Sequence, residues 1–502
     1  MRLPRASGVL LHPTSLPGPW GIGDLGPEAR AFVDGLAEGR QRWWQVLPLG
    51  PTGYGDSPYQ CFSAFAGNPL LLSPQELIEE GLLRPHDLEP APRFADGRVD
   101  FGVVTPWKRN WLRRAARNFL DGPPRSLAQE YAAFRQAEAF WLDDYALFMV
   151  LKEAHGGASW TQWEPAVVRR KPEALALWRA RFAHQLEEHA ALQFFFFRQW
   201  QKLRAYAAER GIGLIGDVPI FVAHDSVDVW CHPELFFLDD DGQPSVVAGV
   251  PPDYFSATGQ LWGNPLYRWE RMAEDGYRWW IERVRCTLQL VDVVRIDHFI
   301  GFTRYWEIPA GSPTAERGRY LPGPGARFLE ALRAALGGLP LIAEDLGAVT
   351  PEVEQLRDQF ELPGMKVLQF AFASDPRDRF LPHNFTPNFV VYTGTHDNDT
   401  TVGWFRSASA QERSFAQRYL GRSGEDIAWD LIRLGLASVA DTFIVPVQDL
   451  LSLGSEARMN FPGRPQGNWR WRLRPGQLSS AVWQRLADLT YTYGRTPARP
   501  HD

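Results

Sequence analysis

Residues 328–351 read FLEALRAALGGLPLIAEDLGAVTP, and they contain the repeating unit from which the fold can be inferred. Apolar residues at i, i+4 and i+8 place one face of a helix over residues 328–336, and Gly337 can end that helix. Residues 339–343 then form a short apolar strand, which is followed by the acidic pair at 344–345. A Thr-Pro pair opens the next helix. The unit is helix, strand, acidic loop and helix.

The same order recurs at three other places in the chain. Short apolar strands are predicted at 212–216, 291–296 and 389–393, and each is followed by an acidic residue: Asp217, Asp297, and Asp397 with Asp399. Uninterrupted apolar strands that alternate with helices predict a parallel sheet covered on both faces. In a (β/α)8 barrel the carboxyl ends of such strands meet at one mouth, where the chemistry takes place.

We therefore predict the α/β class, as a (β/α)8 TIM barrel. An open, doubly wound sheet is the alternative architecture. That fold favours a glycine-rich phosphate turn after its first strand, and the sequence contains neither GxGxxG nor GxxxxGK[ST]. A further apolar run, residues 43–49, is predicted to be a buried strand near the start of the chain.

Composition excludes several classes of function. The net charge is −6, so nothing draws the chain to nucleic acid or to an anionic membrane. No apolar stretch is long enough for a signal peptide or a membrane span. The three cysteines are widely spaced, which predicts buried thiols in a reducing cytoplasm and neither a disulfide nor a zinc site. The sequence implies no cofactor and no metal.

The acidic segments carry residue types suited to covalent chemistry. Strand side chains alternate, so Arg295 and Asp297 point the same way, and the guanidinium keeps the carboxylate ionised. An ionised carboxylate at a barrel mouth suits a nucleophile. Of the adjacent Glu344 and Asp345, only one can face inward, and parity leaves open which one. A glutamic acid with a raised pKa would supply a proton donor.

The fourth segment offers His396 and Asp397 as a donor–acceptor pair, with Asp399 as a competing carboxylate. Glycoside cleavage requires two carboxylates, one to attack the anomeric carbon and one to protonate the leaving oxygen. A third can bind sugar hydroxyls and stabilise positive charge. The chain also holds 21 Trp, 31 Phe and 14 Tyr, which can form flat platforms for the apolar faces of sugars as well as core.

In this order, the four acidic segments resemble the signature regions of the α-amylase clan, and they fit best the amylomaltases, the 4-α-glucanotransferases of glycoside hydrolase family 77. The matching segments span about residues 7–472: 12–17 (HPTSLP), 44–52 (WQVLPLGPT), 57–59 (SPY), 215–219 (IGDVP), 248–255 (AGVPPDYF), 262–265 (WGNP), 294–298 (VRIDH), 342–347 (IAEDLG), 393–399 (TGTHDND), 458–460 (RMN) and 467–469 (GNW). Many α-amylases carry a histidine soon after the first signature aspartate. Here none follows Asp217, as in amylomaltases.

The resemblance implies a role for each matching residue. Asp297 would be the nucleophile, Glu344 the general acid/base, and Asp397 the stabiliser of the transition state. The expected substrate-binding residues are Ser57, Tyr59, Asp217, Asp253, Trp262, Arg295, His298, His396 and Asn460. Tyr254 and Phe255 would lie in the same acceptor-side loop as Asp253.

The helical pattern of residues 70–210, the absence of an all-β run after residue 450 and the resemblance together predict the organisation and the substrate. We expect one catalytic domain over residues 1–491, with a helical insertion at about 70–210 and an acceptor-side loop insertion at about 224–275. Residues 492–502 would form a tail, and no C-terminal β-sandwich is expected. The substrates would be α-1,4-glucans, transferred with retention through a glucosyl-aspartate. A hydrolase of the same clan and a non-catalytic glucan-binding barrel are the alternatives, and the oligomeric state is left open.

Overall fold

The computed structural model describes residues 2–252, 256–464 and 466–497. Its main sheet contains eight parallel strands in the spatial order β10-β11-β12-β1-β2-β3-β6-β9. They are β1 (Ala6–Leu10), β2 (Trp43–Gln45), β3 (Gly213–Pro219), β6 (Val293–Asp297), β9 (Leu341–Ala343), β10 (Gly364–Val367), β11 (Phe389–Tyr392) and β12 (Thr442–Pro446).

The two ends of this sheet meet. The backbone N–H of Ala343, in β9, donates a hydrogen bond of 2.9 Å to the carbonyl of Pro363, next to β10. The sheet is thus a nearly closed barrel, and the predicted (β/α)8 fold is confirmed. The doubly wound alternative is wrong.

One buried cluster explains why these strands close on themselves. It takes at least one apolar side chain from each barrel strand: Ala6 and Leu10, Trp43, Ile215, Val293, Ile342, Met365, Val390 and Tyr392, and Ile444. Because strand side chains alternate, the intervening residues pack outward against the helices. The predicted core residues Trp43 and Trp44, which are adjacent in β2, are both buried, one in each layer.

Helices surround the barrel. Those before β3 are α1 (Pro27–Glu38), α2 (Pro74–Glu79), α3 (Phe101–Asp121), α4 (Arg125–Ala137), α5 (Ala139–Ala154), α6 (Pro165–Val168), α7 (Pro172–Arg181) and α8 (Ala183–Glu209). Those after it are α9 (Val227–Cys231), α10 (Trp269–Glu274), α11 (Arg278–Leu290), α12 (Gly325–Leu336), α13 (Pro351–Gln359), α14 (Thr401–Ser407), α15 (Ala410–Leu420), α16 (Ile427–Ala437), α17 (Val447–Leu450) and α18 (Ser480–Thr492).

Helix α12 ends where the sequence predicted, at Gly337, whose φ of 73° is in the left-handed region. The aromatic run Phe194–Phe197 lies buried in α8. Within the described residues no strand follows β12, and none of the described helices is long and apolar enough to cross a membrane.

A second sheet was not predicted. It is antiparallel, in the order β5-β4-β7-β8, and consists of β4 (Val246–Val250), β5 (Gln260–Pro265), β7 (Arg304–Pro309) and β8 (Arg319–Pro322). Its first two strands lie inside the stretch predicted as a loop insertion. Strands β5, β7 and β8 mix polar with apolar residues and each ends in proline, so they lack the apolar runs that identified barrel strands. Strand β4, VVAGV, is an apolar run that was assigned to the loop insertion. The division into a domain, two insertions and a tail stays a prediction.

Candidate active site

The pair Arg295 and Asp297 lies at the carboxyl end of β6. Strand β6 pairs with β3 so that Arg295 lies beside Asp217. Nη1 of Arg295 donates to both carboxylate oxygens of Asp217, at 2.8 and 2.6 Å, while Nη2 donates to Oδ1 of Asp297 at 2.9 Å. The hydroxyl of Tyr59 also donates to Asp217, at 2.8 Å. One guanidinium therefore joins two carboxylates, as the alternation of β6 predicted for Asp297.

These two carboxylates differ in exposure. The Asp217 side chain is 0% exposed, whereas that of Asp297 is 29% exposed and so remains accessible to a substrate. Burial raises the pKa of Asp217 to about 7, although the neighbouring Arg295 opposes the rise. Burial disfavours a charged Arg295, but Asp217 and Asp297 outweigh this effect and hold its pKa well above the usual value.

Glu344 directly follows β9 and lies against the end of β6. Its Oε2 accepts the backbone N–H of His298 at 2.7 Å, and its Oε1 accepts that of Leu346 at 2.9 Å. Burial raises the pKa of Glu344 to about 8; Asp297 adds to the rise, and Arg295 opposes it. A carboxyl group that keeps its proton at neutral pH can act as a general acid.

Asp345 has a different environment. It is fully buried, accepts the backbone N–H of Met365 at 2.8 Å and pairs with Arg357 at 2.5 Å. The structure thereby settles the question that parity left open, because Asp345 is engaged with β10 and α13 while Glu344 contacts the residue next to Asp297.

Asp397 lies after β11, in the loop that leads to α14. Nδ2 of Asn460 donates to its Oδ1 at 2.6 Å, and Nε2 of His396 lies 3.4 Å from the same oxygen. Its side chain remains 43% exposed. Asp399 accepts the hydroxyl of Ser455 at 2.7 Å and the backbone N–H of Thr400 at 2.8 Å. Asp399 thus has local partners on both oxygens.

Aromatic rings form one wall beside Asp397. The Tyr59 and His396 rings stack with centroids 5.1 Å apart and planes 14° apart. Trp469 contacts both rings, at 5.7 and 5.9 Å. Ser57 accepts the backbone N–H of Tyr59 at 3.2 Å and so shapes the loop that carries it. Trp469 belongs to the matching segment 467–469, but the sequence assigned it no role. Its position in this wall is seen only in the structure.

His298 follows Asp297 in the chain, and its ring contacts Trp262. Their rings meet edge to face with centroids 4.8 Å apart. Burial lowers the pKa of His298 to about 4 and also lowers that of His396, so both rings are neutral at pH 7. Asp253, Tyr254 and Phe255, also predicted for this side, lie outside the described residues.

The structure thus brings the predicted residues together, apart from those three. Across residues 2–252, 256–464 and 466–497, no three His, Cys, Asp or Glu side chains are grouped so as to hold a metal ion.

A comparison with known families decides the relationship. The family model described as 4-α-glucanotransferase matches residues 11–479. The chain belongs to the 4-α-glucanotransferase family, glycoside hydrolase family 77. This member of the family is 55% identical to the 4-α-glucanotransferase of Thermus thermophilus, over 97% of this chain and 98% of that one. It is 54% identical to the 4-α-glucanotransferase of Synechocystis, over 98% of both chains.

Two solved amylomaltase structures superpose on this chain. An amylomaltase from Streptococcus agalactiae in complex with acarbose superposes with a TM-score of 0.95 at 41% identity, covering 98% of this chain and all of that one. An amylomaltase from Corynebacterium glutamicum superposes with a TM-score of 0.79 at 19% identity, covering 97% of this chain and 75% of that one, which supports the fold alone. This member of the 4-α-glucanotransferase family is therefore an enzyme on an amylomaltase-type barrel.

Proposed function

We propose that this enzyme transfers segments of α-1,4-glucan from a donor to the 4-hydroxyl of an acceptor glucan or glucose, with net retention, through a covalent glucosyl-aspartate. The observation that carries the proposal is the contrast between two neighbouring carboxyl groups. Asp297 is paired with a guanidinium and accessible, while Glu344 is buried with a raised pKa. Retaining glycosidases use such a pair as nucleophile and acid.

In the first step the carboxylate of Asp297 attacks the anomeric carbon of the donor. Glu344 gives its proton to the glycosidic oxygen, so the leaving chain departs with a free 4-hydroxyl. In the second step the ionised Glu344 takes the proton from the 4-hydroxyl of an acceptor. That oxygen then attacks the anomeric carbon, the bond to Asp297 breaks, and both carboxyl groups return to their starting states.

Asp397 stabilises the charged transition state by binding hydroxyls of the sugar being transferred. The hydrogen bond from Asn460 fixes one of its oxygens and leaves the other available. Tyr59, His396 and the Arg295–Asp217 pair line the same sugar, and Ser57 supports the Tyr59 loop. His298 also lines this sugar, and on the acceptor side we place Trp262 together with Asp253.

The acarbose complex of the Streptococcus agalactiae amylomaltase supports a glucan-like ligand for this cleft. We further propose that residues 1–491 act as one catalytic domain, with the helical segment at about 70–210 and the segment at about 224–275 as insertions.

Hydrolysis is the competing outcome, because water can replace the acceptor on the same three carboxylates. Incubation with maltotriose separates the two reactions. Transfer releases glucose and longer glucans while the number of reducing ends stays constant, whereas hydrolysis raises that number. A rise in reducing ends equal to the number of bonds cleaved would refute transfer.

A further inference from the structure

A small cavity lies beside His396, at the carboxyl ends of β1 and β12. Its volume is about 30 Å³, and its polar lining includes His12, Ser15, His396, Asp399, Asp449 and Arg458. Leu10, Leu11 and Leu47 also line it, and a cavity of this volume has room for water, which needs two to four hydrogen-bonding partners. The cavity therefore links the residue next to Asp397 with residues that follow the first barrel strand.

His12 is the unusual member of this lining. It follows β1 by two residues and is 6% exposed, yet its Nδ1 has no hydrogen-bond partner among the described residues. Its carbonyl accepts the backbone N–H of Ser15 at 2.9 Å, which holds its backbone in a short turn. Leaving a buried polar atom unpaired is costly, so a partner inside the cavity would account for a histidine at this position.

His396 has the complementary geometry. Its Nε2 lies 3.4 Å from Oδ1 of Asp397, which directs the other ring nitrogen away from that carboxylate. Burial lowers the pKa of His396, and burial together with His396 lowers that of His12 to about 3, so both rings are neutral at pH 7. A neutral imidazole has one donor and one acceptor nitrogen, and a water can therefore bridge the two rings.

We propose that His12 is a positioning residue: through one water in this cavity it fixes the tautomer and orientation of His396 beside Asp397. With Nδ1 of His396 held as the acceptor, its Nε2 carries the proton and points toward Asp397 and the sugar hydroxyls. A hydrogen-bond partner on one ring nitrogen thereby fixes the proton on the other, as it does for metal-bound histidines. The expected change in kcat rests on the proposed role of Asp397. The tautomer of His396 does not depend on that role.

The test uses two variants at one position. H12F fills the space without a polar atom, whereas H12N keeps a hydrogen-bonding group close to the place of Nδ1. We expect H12F to lower kcat on maltotriose about tenfold with little change in KM, and H12N to recover most of the loss. S15A is the matched control in the same cavity wall, because its hydroxyl bonds the Trp471 carbonyl at 2.7 Å; it should lower Tm without this loss of kcat.

A second readout needs no catalysis. In protein labelled with ¹⁵N at histidine, with H396N used for assignment, the free wild-type enzyme should show His396 protonated at Nε2, and H12F should show a mixture of tautomers. The proposal is overturned if the His396 resonances in H12F match those of the wild type, or if H12N and H12F lose kcat equally. Because the spectra are taken without substrate, they stand even if the proposed mechanism fails.

Discussion

The backbone N–H of His298 donates a hydrogen bond of 2.7 Å to Oε2 of Glu344. In the same contact, the backbone N–H of Phe299 donates to the carbonyl of Glu344 at 3.1 Å. His298 has a φ of 57°, a left-handed conformation, which turns its N–H toward β9 directly after Asp297. Two consecutive peptides therefore hold Glu344 against the end of β6, so the proposed nucleophile and acid are fixed relative to each other.

Replacing the nucleophile tests the covalent mechanism. We expect D297N to lower kcat on maltotriose by at least about 10³-fold, because the amide cannot form the glucosyl ester. Binding of maltoheptaose, measured by calorimetry, should stay within about tenfold of the wild type, since Arg295 keeps its contacts with Asp217. A D297N enzyme that turns over at the wild-type rate would rule out Asp297 as nucleophile.

The raised pKa of Glu344 predicts a pH dependence of both rate and stability. Its proton is bound more tightly in the folded state, so its contribution to stability is complete below about 4.5 and is lost as the pH rises through about 8. E344Q does not titrate. We therefore expect the Tm of E344Q relative to that of the wild type to rise between pH 4.5 and pH 8.

The same variant should turn over maltotriose at least about 10²-fold more slowly. Its first step, measured as the initial release of fluoride from α-maltosyl fluoride, should be slowed far less, because fluoride leaves without a proton. In the wild type, kcat/KM should fall above about pH 8. E330Q, at an exposed position on α12, is the control and should follow the wild type in Tm and rate. If the Tm difference between E344Q and the wild type did not vary with pH, Glu344 would not have a raised pKa in the folded state.

Activity and thermal stability should distinguish the two carboxylates that follow β11, Asp397 and Asp399. D397N should lower kcat by at least about 10²-fold with Tm nearly unchanged, because its exposed carboxylate acts on the substrate. D399N should lower the free energy of unfolding by about 1 kcal/mol, since it weakens the bonds to Ser455 and Thr400, and should keep kcat within about threefold. Kinetics and thermal melts of both variants check this, and the reversed pattern would assign the stabilising role to Asp399.

A double substitution tests how much the Arg295–Asp217 ion pair contributes to stability. R295M leaves Asp217 buried without its cation, so we expect a loss of about 3–5 kcal/mol in the free energy of unfolding. Adding D217N should restore most of that stability but not the activity, since Asp297 still lacks its guanidinium. R319M, which removes an arginine that is 72% exposed from its pair with Glu307, should cost at most about 1 kcal/mol. Equal losses in R295M and R319M would refute this account.

The sequence was most informative where an apolar strand is directly followed by a residue type suited to catalysis. The strands ending near Asp217, Asp297 and Asp397 could be predicted because each is an apolar run that stops at a carboxylate. The strands Ala6–Leu10, Gly364–Val367 and Thr442–Pro446 were not identified, since serine, lysine or threonine interrupts their apolar pattern. The closed barrel therefore rested on only part of its strands.

The contacts that complete the site lie beyond what sequence spacing can predict. Asn460 and Asp397 are 63 positions apart and joined through loops and helices, so no periodicity relates them. The choice of Glu344 over Asp345 required the resemblance or the structure, because adjacent residues differ only in direction. His12 was part of a quoted motif, but its burial against His396 follows from the closure of the barrel between β1 and β12.

The wall formed by Tyr59, His396 and Trp469 has a consequence for biosynthesis. Its three rings come from the first, fourth and last fifths of the chain. Asn460, which holds Asp397, is also among the last residues to leave the ribosome. The ring wall and the hydrogen bond to Asp397 are therefore complete only after translation has passed Trp469.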